Sequence, residues 1–234
     1  FQEIDDGHAD FGVVPVENSG QGTIQSTLDM FLTSKLKICG EVELRVHQHL
    51  LSRTGRMEDI ERVYSHPQSL AQCKAWLRQH LPHAEKIPVS SNAEAARRAR
   101  VADDCAAIAG ETAGYVYGLK VIAGPIEDRQ DNTTRFLVIG REFFTPSGHD
   151  RTSLLVYVRD QPGALYNVLS PFAKHGVSMN RIESRPAHSG RWQYVFFIDV
   201  SGHIEDKNVS SAMAELGEYA ADVNVLGSYP VALI

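Results

Sequence analysis

Short apolar runs alternate with segments of helical periodicity along the first part of the chain. The runs at residues 10–16, 62–65, 105–110 and 133–140 are bounded by polar or glycine-containing segments, which is typical of buried strands. Between these runs, apolar residues recur every three or four positions, as they do on one face of a helix. Strand and helix therefore alternate, and this order predicts an α/β fold for residues 1–141.

A two-residue alternation appears in one of the remaining segments. Val42, Leu44 and Val46 alternate with the charged residues Glu43 and Arg45. Because successive side chains of a strand point to opposite faces, this pattern predicts a half-buried strand with the valine and leucine side chains inside.

Local signals indicate where helices begin. Pro67 follows His66 at a predicted helix start, where the missing N–H of proline costs nothing. Ser91 precedes Glu94 by three residues, a spacing typical of a capping box. Helices are therefore predicted to follow both positions.

The pattern breaks at residues 142–150, which are predicted to form a linker. Beyond it, the predicted elements run strand, helix, strand, strand, helix, strand, at residues 154–158, 162–175, 177–185, 194–200, 208–219 and 223–227. A turn at His188, Ser189 and Gly190 is predicted between the two middle strands. This βαββαβ order predicts a ferredoxin-like unit in residues 151–234.

The composition excludes several classes of function. Of the 234 residues, 43% are hydrophobic and 22% charged, as in an ordinary globular protein. The net charge of −6 without a basic block argues against nucleic-acid binding, and no apolar run approaches the length of a membrane span. Cys39, Cys73 and Cys105 are too widely spaced for a metal or redox pair, so we expect reduced thiols in a cytoplasmic protein. The histidines are scattered singly, so no metal site is predicted.

Three polar clusters lie where predicted strands end, the place at which α/β sheets bind ligands. They are Glu17, Asn18 and Ser19; Ser65, His66, Pro67, Gln68 and Gln72; and Asp131, Asn132, Thr133, Thr134, Arg135 and Phe136. The first could hold a carboxylate through its donors, or could only cap the following helix. The second contains a histidine, the side chain best suited to acid–base chemistry near neutral pH, but Ser65 or His66 could equally serve as a cap.

The third cluster begins a strand, so its side chains alternate between two faces. Thr134 and Phe136 share one face, and Arg135 takes the other. An arginine could bind a carboxylate through two parallel hydrogen bonds. The position of Arg135 opposite to Thr134 also fits a structural role.

Two segments of the C-terminal unit indicate a sensor for a small molecule. They are Gly163-Ala164-Leu165 and Glu183-Ser184-Arg185-Pro186. A glycine lets the backbone approach a ligand closely, and the second segment follows a strand and precedes a turn. No residue set suited to bond breaking accompanies them. An ordinary helix start and an ordinary strand end would explain these segments as well.

Taken in order, these segments closely resemble the prephenate dehydratase family. Residues 13–19, 65–68 and 134–136 look like its catalytic domain, and residues 163–165 and 183–186 look like its C-terminal ACT domain. The resemblance covers essentially the whole chain and is greatest to the dehydratase and ACT portion of the bacterial bifunctional protein that also carries chorismate mutase. The mutase segment and the family's opening strand with its glycine-rich turn are not found here, so we expect the catalytic domain to lack its first strand.

The resemblance implies a fold and a division into domains. Residues 1–141 would form a two-lobed catalytic domain like a periplasmic binding protein. Residues 1–45 and 126–141 would make one lobe, and residues 46–125 the other. Lobe closure would bring the polar clusters together. Residues 151–234 would be the ACT domain.

The resemblance also implies a reaction. The chain would be a carbon–oxygen lyase that removes water and carbon dioxide from prephenate to give phenylpyruvate, without a cofactor. Thr134 would be the key catalytic residue, donating a hydrogen bond to the leaving hydroxyl, because a threonine hydroxyl is a poor general acid. The remaining catalytic candidates are Glu17, Asn18, Ser65, Gln72 and Arg135, and the candidates for substrate contacts are Ser19, His66 and Phe136.

Feedback inhibition by L-phenylalanine at the ACT domain is a further implication, within a homodimer or homotetramer. The effector-binding candidates are Gly163, Ala164, Leu165, Asn180, Glu183, Ser184, Arg185 and Pro186. The alternative is a non-catalytic two-lobe protein that senses an amino acid. A related dehydrogenase with an ACT domain is disfavoured, because no GxGxxG segment follows a strand.

Overall fold

A computed structural model describes residues 1–20, 22–129, 131–186 and 194–232. The chain divides into two compact units: unit 1 comprises Phe1–Leu44 and Thr134–Ile234, and unit 2 comprises Arg45–Thr133. The domain and linker boundaries drawn from the sequence stay predictions. The turn predicted at residues 188–190 lies outside the described residues.

Strands and helices alternate as the sequence predicts. In chain order the strands are β1 (Gly12–Asn18), β2 (Gly22–Thr23), β3 (Lys37–Arg45), β4 (His49–Ser52), β5 (Arg62–Ser65), β6 (Glu85–Pro88), β7 (Cys105–Ala109), β8 (Lys120–Ala123), β9 (Thr133–Gly140), β10 (Asp150–Val158), β11 (Met179–Pro186), β12 (Tyr194–Ser201) and β13 (Asp222–Pro230). The helices are α1 (Gln2–Asp5), α2 (Gln25–Phe31), α3 (Pro67–Gln72), α4 (Lys74–His80), α5 (Asn92–Ala99), α6 (Glu111–Tyr117), α7 (Ala164–Lys174) and α8 (Lys207–Tyr219). A short 3₁₀ helix at Met57–Asp59 precedes β5.

The first sheet of unit 1 has the strand order β2-β1-β9-β3. Strand β1 begins two residues later than predicted and is not buried throughout, because only one of its faces is covered. Val16 is fully buried against Leu28 and Phe31 of α2, whereas Val13 is 63% exposed. The sequence predicted the strand correctly but overstated its burial.

Strand β3 corrects the face predicted for residues 42–46. Val42 and Leu44 are 46% and 54% exposed, and the buried residue beside them is Glu41. Glu41 can be buried because its carboxylate accepts hydrogen bonds from Arg135 and Arg151. The strand was predicted correctly, but the side chains assigned to its interior were wrong.

The C-terminal sheet of unit 1 confirms the βαββαβ prediction. Its strand order is β11-β12-β10-β13, with every neighbouring pair antiparallel. Helices α7 and α8 cover one face, where Val168 and Leu216 pack against Val156 and Ile198. Gly163 caps α7 with a φ of 79°, a conformation that favours glycine.

The opposite face of the C-terminal sheet packs on the first sheet. Leu137 and Ile139 of β9 share one core cluster with Phe197 and Tyr229. The backbones meet at Gly227 of β13, where an added Cβ would lie 2.1 Å from the carbonyl oxygen of Ile38. The two sheets are therefore one packed body, and their closest approach requires a glycine.

Unit 2 contains a five-stranded sheet in the order β6-β5-β7-β4-β8. Strand β5 runs parallel to β6 and β7, and β4 runs antiparallel to β7 and β8. The helix predicted after His66 is present as α3 and α4, which meet at Cys73. The capping prediction is confirmed, since the Ser91 hydroxyl accepts a hydrogen bond from the Glu94 N–H at 3.1 Å. The α/β prediction holds for both units.

Candidate functional site

Asn18 and Thr134 form a buried polar pair in the first sheet. Asn18 ends β1, Thr134 lies at the start of β9, and the two residues are direct cross-strand partners. The Asn18 amide Nδ2 donates a hydrogen bond of 2.8 Å to the Thr134 hydroxyl. Since that hydroxyl accepts from Asn18, its own proton can be donated to a third group, and the incoming bond strengthens it as a donor.

The neighbouring residues on the same strands point to the other face. Glu17 pairs with Arg135 across β1 and β9, and with Thr23 across β1 and β2. Directly opposed residues share a face, and successive residues alternate. The first sheet therefore presents Asn18 and Thr134 on one face and Glu17, Thr23 and Arg135 on the face that meets the C-terminal sheet.

This alternation divides two of the clusters found in the sequence. Glu17 lies on the opposite face from Asn18, although the two are adjacent in the chain. Phe136 shares the face of Thr134, and Ser19 is exposed beyond the end of β1. The substrate contacts assigned to Glu17, Ser19 and Phe136 stay predictions.

Arg135 lies at the middle of a buried polar group that we call the central cluster. Its members are Arg135, Glu41, Arg151, Ser153, Asp199 and Tyr229. The Arg135 guanidinium donates to Glu41 and Asp199 at 2.8 Å each and to the Tyr229 hydroxyl at 3.0 Å. Ser153 also bonds Asp199 and Tyr229, and Arg151 donates to Glu41. The carboxylates that bind Arg135 thus belong to the protein itself.

The charges in the central cluster are fixed by their neighbours. Burial alone lowers the pKa of the Arg135 guanidinium, but Tyr229 and the carboxylates of Asp199 and Glu41 outweigh it and hold that pKa above its usual range. Burial raises the pKa of the Tyr229 hydroxyl well above its ordinary value. Arg135 is therefore charged and Tyr229 neutral at any physiological pH.

The second cluster lies in unit 2, where β5 meets α3. The buried Ser65 hydroxyl donates to the Ile108 carbonyl at 2.7 Å and lies 2.9 Å from Asn92 Oδ1. His66 caps α3, and its Nδ1 accepts from the Gln68 N–H at 3.3 Å. Capping of α3 explains the position of His66, and a bond from β5 to β7 explains that of Ser65. The functional roles assigned to Ser65 and His66 stay predictions.

Gln72, at the end of α3, belongs to a chain of polar side chains. Its Oε1 accepts from Gln48 Nε2 at 3.3 Å, and the Gln48 N–H donates to Glu127 at 2.9 Å. Burial raises the pKa of the Glu127 carboxyl, but the bonds from His47 and Gln48 outweigh it and lower the pKa overall. Gln72 is thereby held in one orientation and linked through Gln48 to the ionised carboxylate of Glu127.

The predicted sensor segments lie on the C-terminal sheet. A pocket of about 250 Å³ opens beside the start of α7. Gly163, Ala164 and Leu165 line it together with Tyr194 and Phe196 of β12. The first sensor segment therefore borders a cavity large enough for part of an amino acid, and the effector assignments stay predictions.

Sequence reasoning missed Asn92, Glu41, Asp199 and Tyr229. Asn92 Oδ1 accepts from the His66 N–H at 3.1 Å, and its Nδ2 donates to the Ser69 hydroxyl at 3.0 Å. Asn92 directly follows the cap Ser91 and carried no separate signal. Asp199 had one: it is a lone carboxylate in the apolar strand β12, which predicts a buried partner.

The described residues set two limits on the chemistry. Among them, no three His, Cys, Asp or Glu side chains lie close enough together to hold a metal ion. None of the helices that the structure describes has the length and apolar character of a membrane crossing.

Family models match both parts of the chain. The model described as prephenate dehydratase matches residues 1–143, and the model described as ACT domain matches residues 152–218. The bifunctional chorismate mutase/prephenate dehydratase of Stutzerimonas stutzeri is 50% identical over 235 residues, which cover 100% of this chain. This chain spans 64% of the length of that relative.

Solved structures agree with the family models. A prephenate dehydratase of Arthrobacter aurescens in complex with L-Phe is 36% identical with a TM-score of 0.87, covering 98% of this chain and 78% of that one. A protein described as a novel type of quorum quenching acylase, GqqA, is 30% identical with a TM-score of 0.89, covering 99% and 85%. The resemblance seen in the sequence and the predicted fold class, including its likeness to periplasmic binding proteins, are thus confirmed. The prephenate dehydratase family model matches more than half of the residues of this chain. The chain therefore belongs to the prephenate dehydratase family.

Proposed function

We propose that the chain is a prephenate dehydratase that makes phenylpyruvate for L-phenylalanine biosynthesis in the cytoplasm. The observation that carries the proposal is the pair of Asn18 and Thr134, in which the amide orients a threonine hydroxyl at the end of a buried strand. The family membership of the chain supplies the substrate. The three buried thiols support a reducing compartment.

The proposed reaction needs few groups from the protein. The ring hydroxyl of prephenate leaves with one added proton as water, and the bond to the ring carboxylate breaks to release carbon dioxide. The electron pair of that bond completes the aromatic ring. Thr134 donates a hydrogen bond to the departing hydroxyl, and Asn18 holds the Thr134 hydroxyl in the orientation for this donation.

Regulation by L-phenylalanine is part of the proposal. The pocket beside Gly163, Ala164 and Leu165 combines the aromatic residues Tyr166, Tyr194 and Phe196 with the polar residues Arg159, Asp160 and Gln161, which suits an aromatic amino acid with its charged groups. A solved relative binds L-Phe according to its own description. A homodimer or homotetramer would cover the unpaired edge of β11.

Turnover of prephenate tests the proposed function directly. Phenylpyruvate formation is followed by its absorbance for the unmodified chain, Thr134→Val and Thr134→Ser. Loss of the hydroxyl in Thr134→Val should lower kcat by about two orders of magnitude or more, the usual scale for proton-transfer catalysis, with the melting temperature nearly unchanged. Thr134→Ser keeps a hydroxyl and should retain most of the activity.

Two outcomes would replace the proposal. Binding of L-phenylalanine without turnover of prephenate would leave the non-catalytic amino-acid sensor. Hydrolysis of an N-acyl amide without turnover of prephenate would favour the activity in the description of the acylase relative.

A further inference from the structure

Strand β11 presents its side chains to two different environments. Arg181, Glu183 and Arg185 stand opposite Asp199, Phe197 and Val195 of β12, on the face that packs against the first sheet. Ile182 and Ser184 stand opposite Ile198 and Phe196, on the helix-covered face that contains the pocket. The alternation of exposure along β11 agrees, with every second residue exposed from Asn180 to Pro186.

The tetrapeptide at residues 183–186 is therefore divided between two faces. Ser184 and Pro186 lie on the pocket face, where Phe196 and Tyr194 are their cross-strand partners. Glu183 and Arg185 lie on the other face. A ligand in the pocket contacts Phe196 and Tyr194, and through these cross-strand partners it acts on β11 from the face of Ser184 and not from that of Glu183.

Glu183 instead contacts the first sheet. The Thr23 hydroxyl donates to Glu183 Oε2 at 3.0 Å and accepts from Arg181 Nη2 at 3.0 Å. Arg181 Nε also lies 3.8 Å from Glu17 Oε2. We call Glu17, Thr23, Arg181 and Glu183 the edge cluster.

The edge cluster is one strand away from the proposed catalytic pair. Thr23 lies on β2, whose one partner among the described strands is β1, through Glu17–Thr23 and Asn18–Gly22. Asn18 in turn donates to Thr134. A displacement of Thr23 therefore acts on the residue that orients the Thr134 hydroxyl.

We propose that Arg181 and Glu183 are positioning residues that act through Thr23 on Asn18, and that they transmit effector binding to the proposed catalytic pair. A ligand on the pocket face of β11 moves the strand, and the edge cluster passes that movement to β2 and β1. The inference rests on the proposed function and adds to it the route by which an amino acid at the C-terminal sheet inhibits turnover.

The properties of the edge cluster suit this role better than those of the central cluster. The Glu17 side chain is 44% exposed, and its ion pair with Arg181 is long, at 3.8 Å. An ion pair with one partner open to solvent can be exchanged for water at little cost. In the central cluster the Glu41 and Asp199 side chains are 0% and 8% exposed, so breaking their bonds to Arg135 would leave charges away from solvent.

The substitution Thr23→Val tests the proposal, with Thr33→Val as the matched control on an exposed loop outside both clusters. Inhibition of prephenate turnover and calorimetric binding of L-phenylalanine are measured for both variants. Coupling between two sites, the factor by which a ligand at one site changes the affinity of the other, is commonly 5–150-fold. We expect this factor to fall to about 1 in Thr23→Val. The Kd for L-phenylalanine should stay within about twofold of that of the unmodified chain. Thr33→Val should be inhibited like the unmodified chain. A merely structural role for Thr23 would lower the melting temperature without separating binding from inhibition.

A second pair of variants covers the case in which Thr23→Val does not fold. Arg181→Met keeps the apolar stem but removes the donors to Thr23 and Glu17, whereas Arg181→Lys keeps a cation there. We expect inhibition to be lost in Arg181→Met and partly retained in Arg181→Lys. Full inhibition in both Thr23→Val and Arg181→Met would overturn the proposal.

The proposed function and this inference fail in different ways. If the unmodified chain does not convert prephenate, the proposed function fails on its own. The coupling is then read from the Kd of L-phenylalanine with and without bound prephenate, since linkage is reciprocal. An equal coupling factor in the unmodified chain and Thr23→Val would overturn the inference in that case too.

Discussion

The contact between the two sheets of unit 1 differs between its centre and its edge. In the centre, Arg135 is enclosed with Glu41 and Asp199, and the side chains of all three are at most 10% exposed. At the edge, Thr23, Arg181 and Glu183 bond one another near solvent. Both clusters join the same two sheets with the same kinds of groups, and the difference lies in a carboxylate: Glu17 at the edge is 44% exposed, whereas Glu41 in the centre is 0% exposed.

Burial decides what each cluster can do. A buried charge without its partner costs several kcal/mol, so the central cluster has one arrangement and fixes the relation of the sheets. Water can replace a partner at the edge, so rearranging the edge cluster costs much less free energy. The centre is therefore suited to stability, and the edge to the proposed regulation.

The largest expected effect comes from Arg135→Met, which leaves Glu41 and Asp199 buried without their common cation. We expect it to lower the free energy of unfolding by about 3–5 kcal/mol, measured by urea denaturation. Arg129→Met is the control, because Arg129 forms an exposed pair with Asp131 and should cost less than about 1 kcal/mol. Equal losses for the two variants would contradict the comparison.

The next effect tests the close approach of the sheets. Gly227→Ala would place a Cβ 2.1 Å from the Ile38 carbonyl oxygen, so the strands must separate locally. The expected loss of stability is about 1–3 kcal/mol, the usual cost of overpacking. Gly217→Ala, in helix α8, has open space around the added methyl and should instead stabilise the chain by up to about 1 kcal/mol. Thermal unfolding should show a lower melting temperature for Gly227→Ala and a higher one for Gly217→Ala.

An alkaline pH series tests the centre through Tyr229. Burial raises the pKa of its hydroxyl in the folded chain, whereas the unfolded chain ionises at about 10. Above that pH the unfolded state binds fewer protons than the folded state, so this contribution to stability is complete below pH 10 and is lost as the pH rises towards the folded pKa.

The substitution Tyr229→Phe removes this dependence. The free energy of unfolding of the variant should be about 1 kcal/mol lower than that of the unmodified chain at neutral pH. This difference between the two proteins should become smaller above about pH 10. Urea midpoints between pH 8 and 11 provide the measurement. Tyr115→Phe, at a residue 92% exposed, should follow the unmodified chain throughout. If the difference in stability between Tyr229→Phe and the unmodified chain stays constant from about pH 8 to 11, Tyr229 ionises normally in the folded chain.

A small effect on stability, comparable to that of Tyr229→Phe, is expected at the edge. Thr23→Val removes a hydroxyl that bonds Glu183 and Arg181, and it should cost only about 0.5–1.5 kcal/mol because water can reach both partners. The same denaturation experiment measures it. A loss as large as that of Arg135→Met would place Thr23 among the residues that hold the fold together.

The sequence predicted much of the fold, because its signals are local. The βαββαβ order, the capping by Ser91 and the strand that starts at Thr133 follow from short-range patterns, and the structure confirms them. The face of β3 could not be predicted in the same way. Glu41 is buried because its partners Arg135 and Arg151, more than 90 residues away in the chain, bond its carboxylate. A local pattern does not contain these partners, so it assigns Val42 and Leu44 to the interior.

The candidate site was predicted by residue type but not by arrangement. The alternation along β9 correctly turned Arg135 away from Thr134. The same rule, applied to β1, separates Glu17 from Asn18, but the grouping by sequence placed them together. Asn92 was missed because its contacts with His66 and Ser69 arise only when α5 packs beside β5.

The two-sided character of β11 has a consequence for how such a sensor can diversify. Under the proposed regulation, ligand specificity would depend on alternate residues of the strand, such as Ser184, and signal transmission on the residues between them, such as Glu183. Substitutions on one face would leave the other face unchanged, so a new effector could be acquired while the proposed transmission is kept. An insertion or deletion of one residue would exchange the two faces and destroy both functions at once.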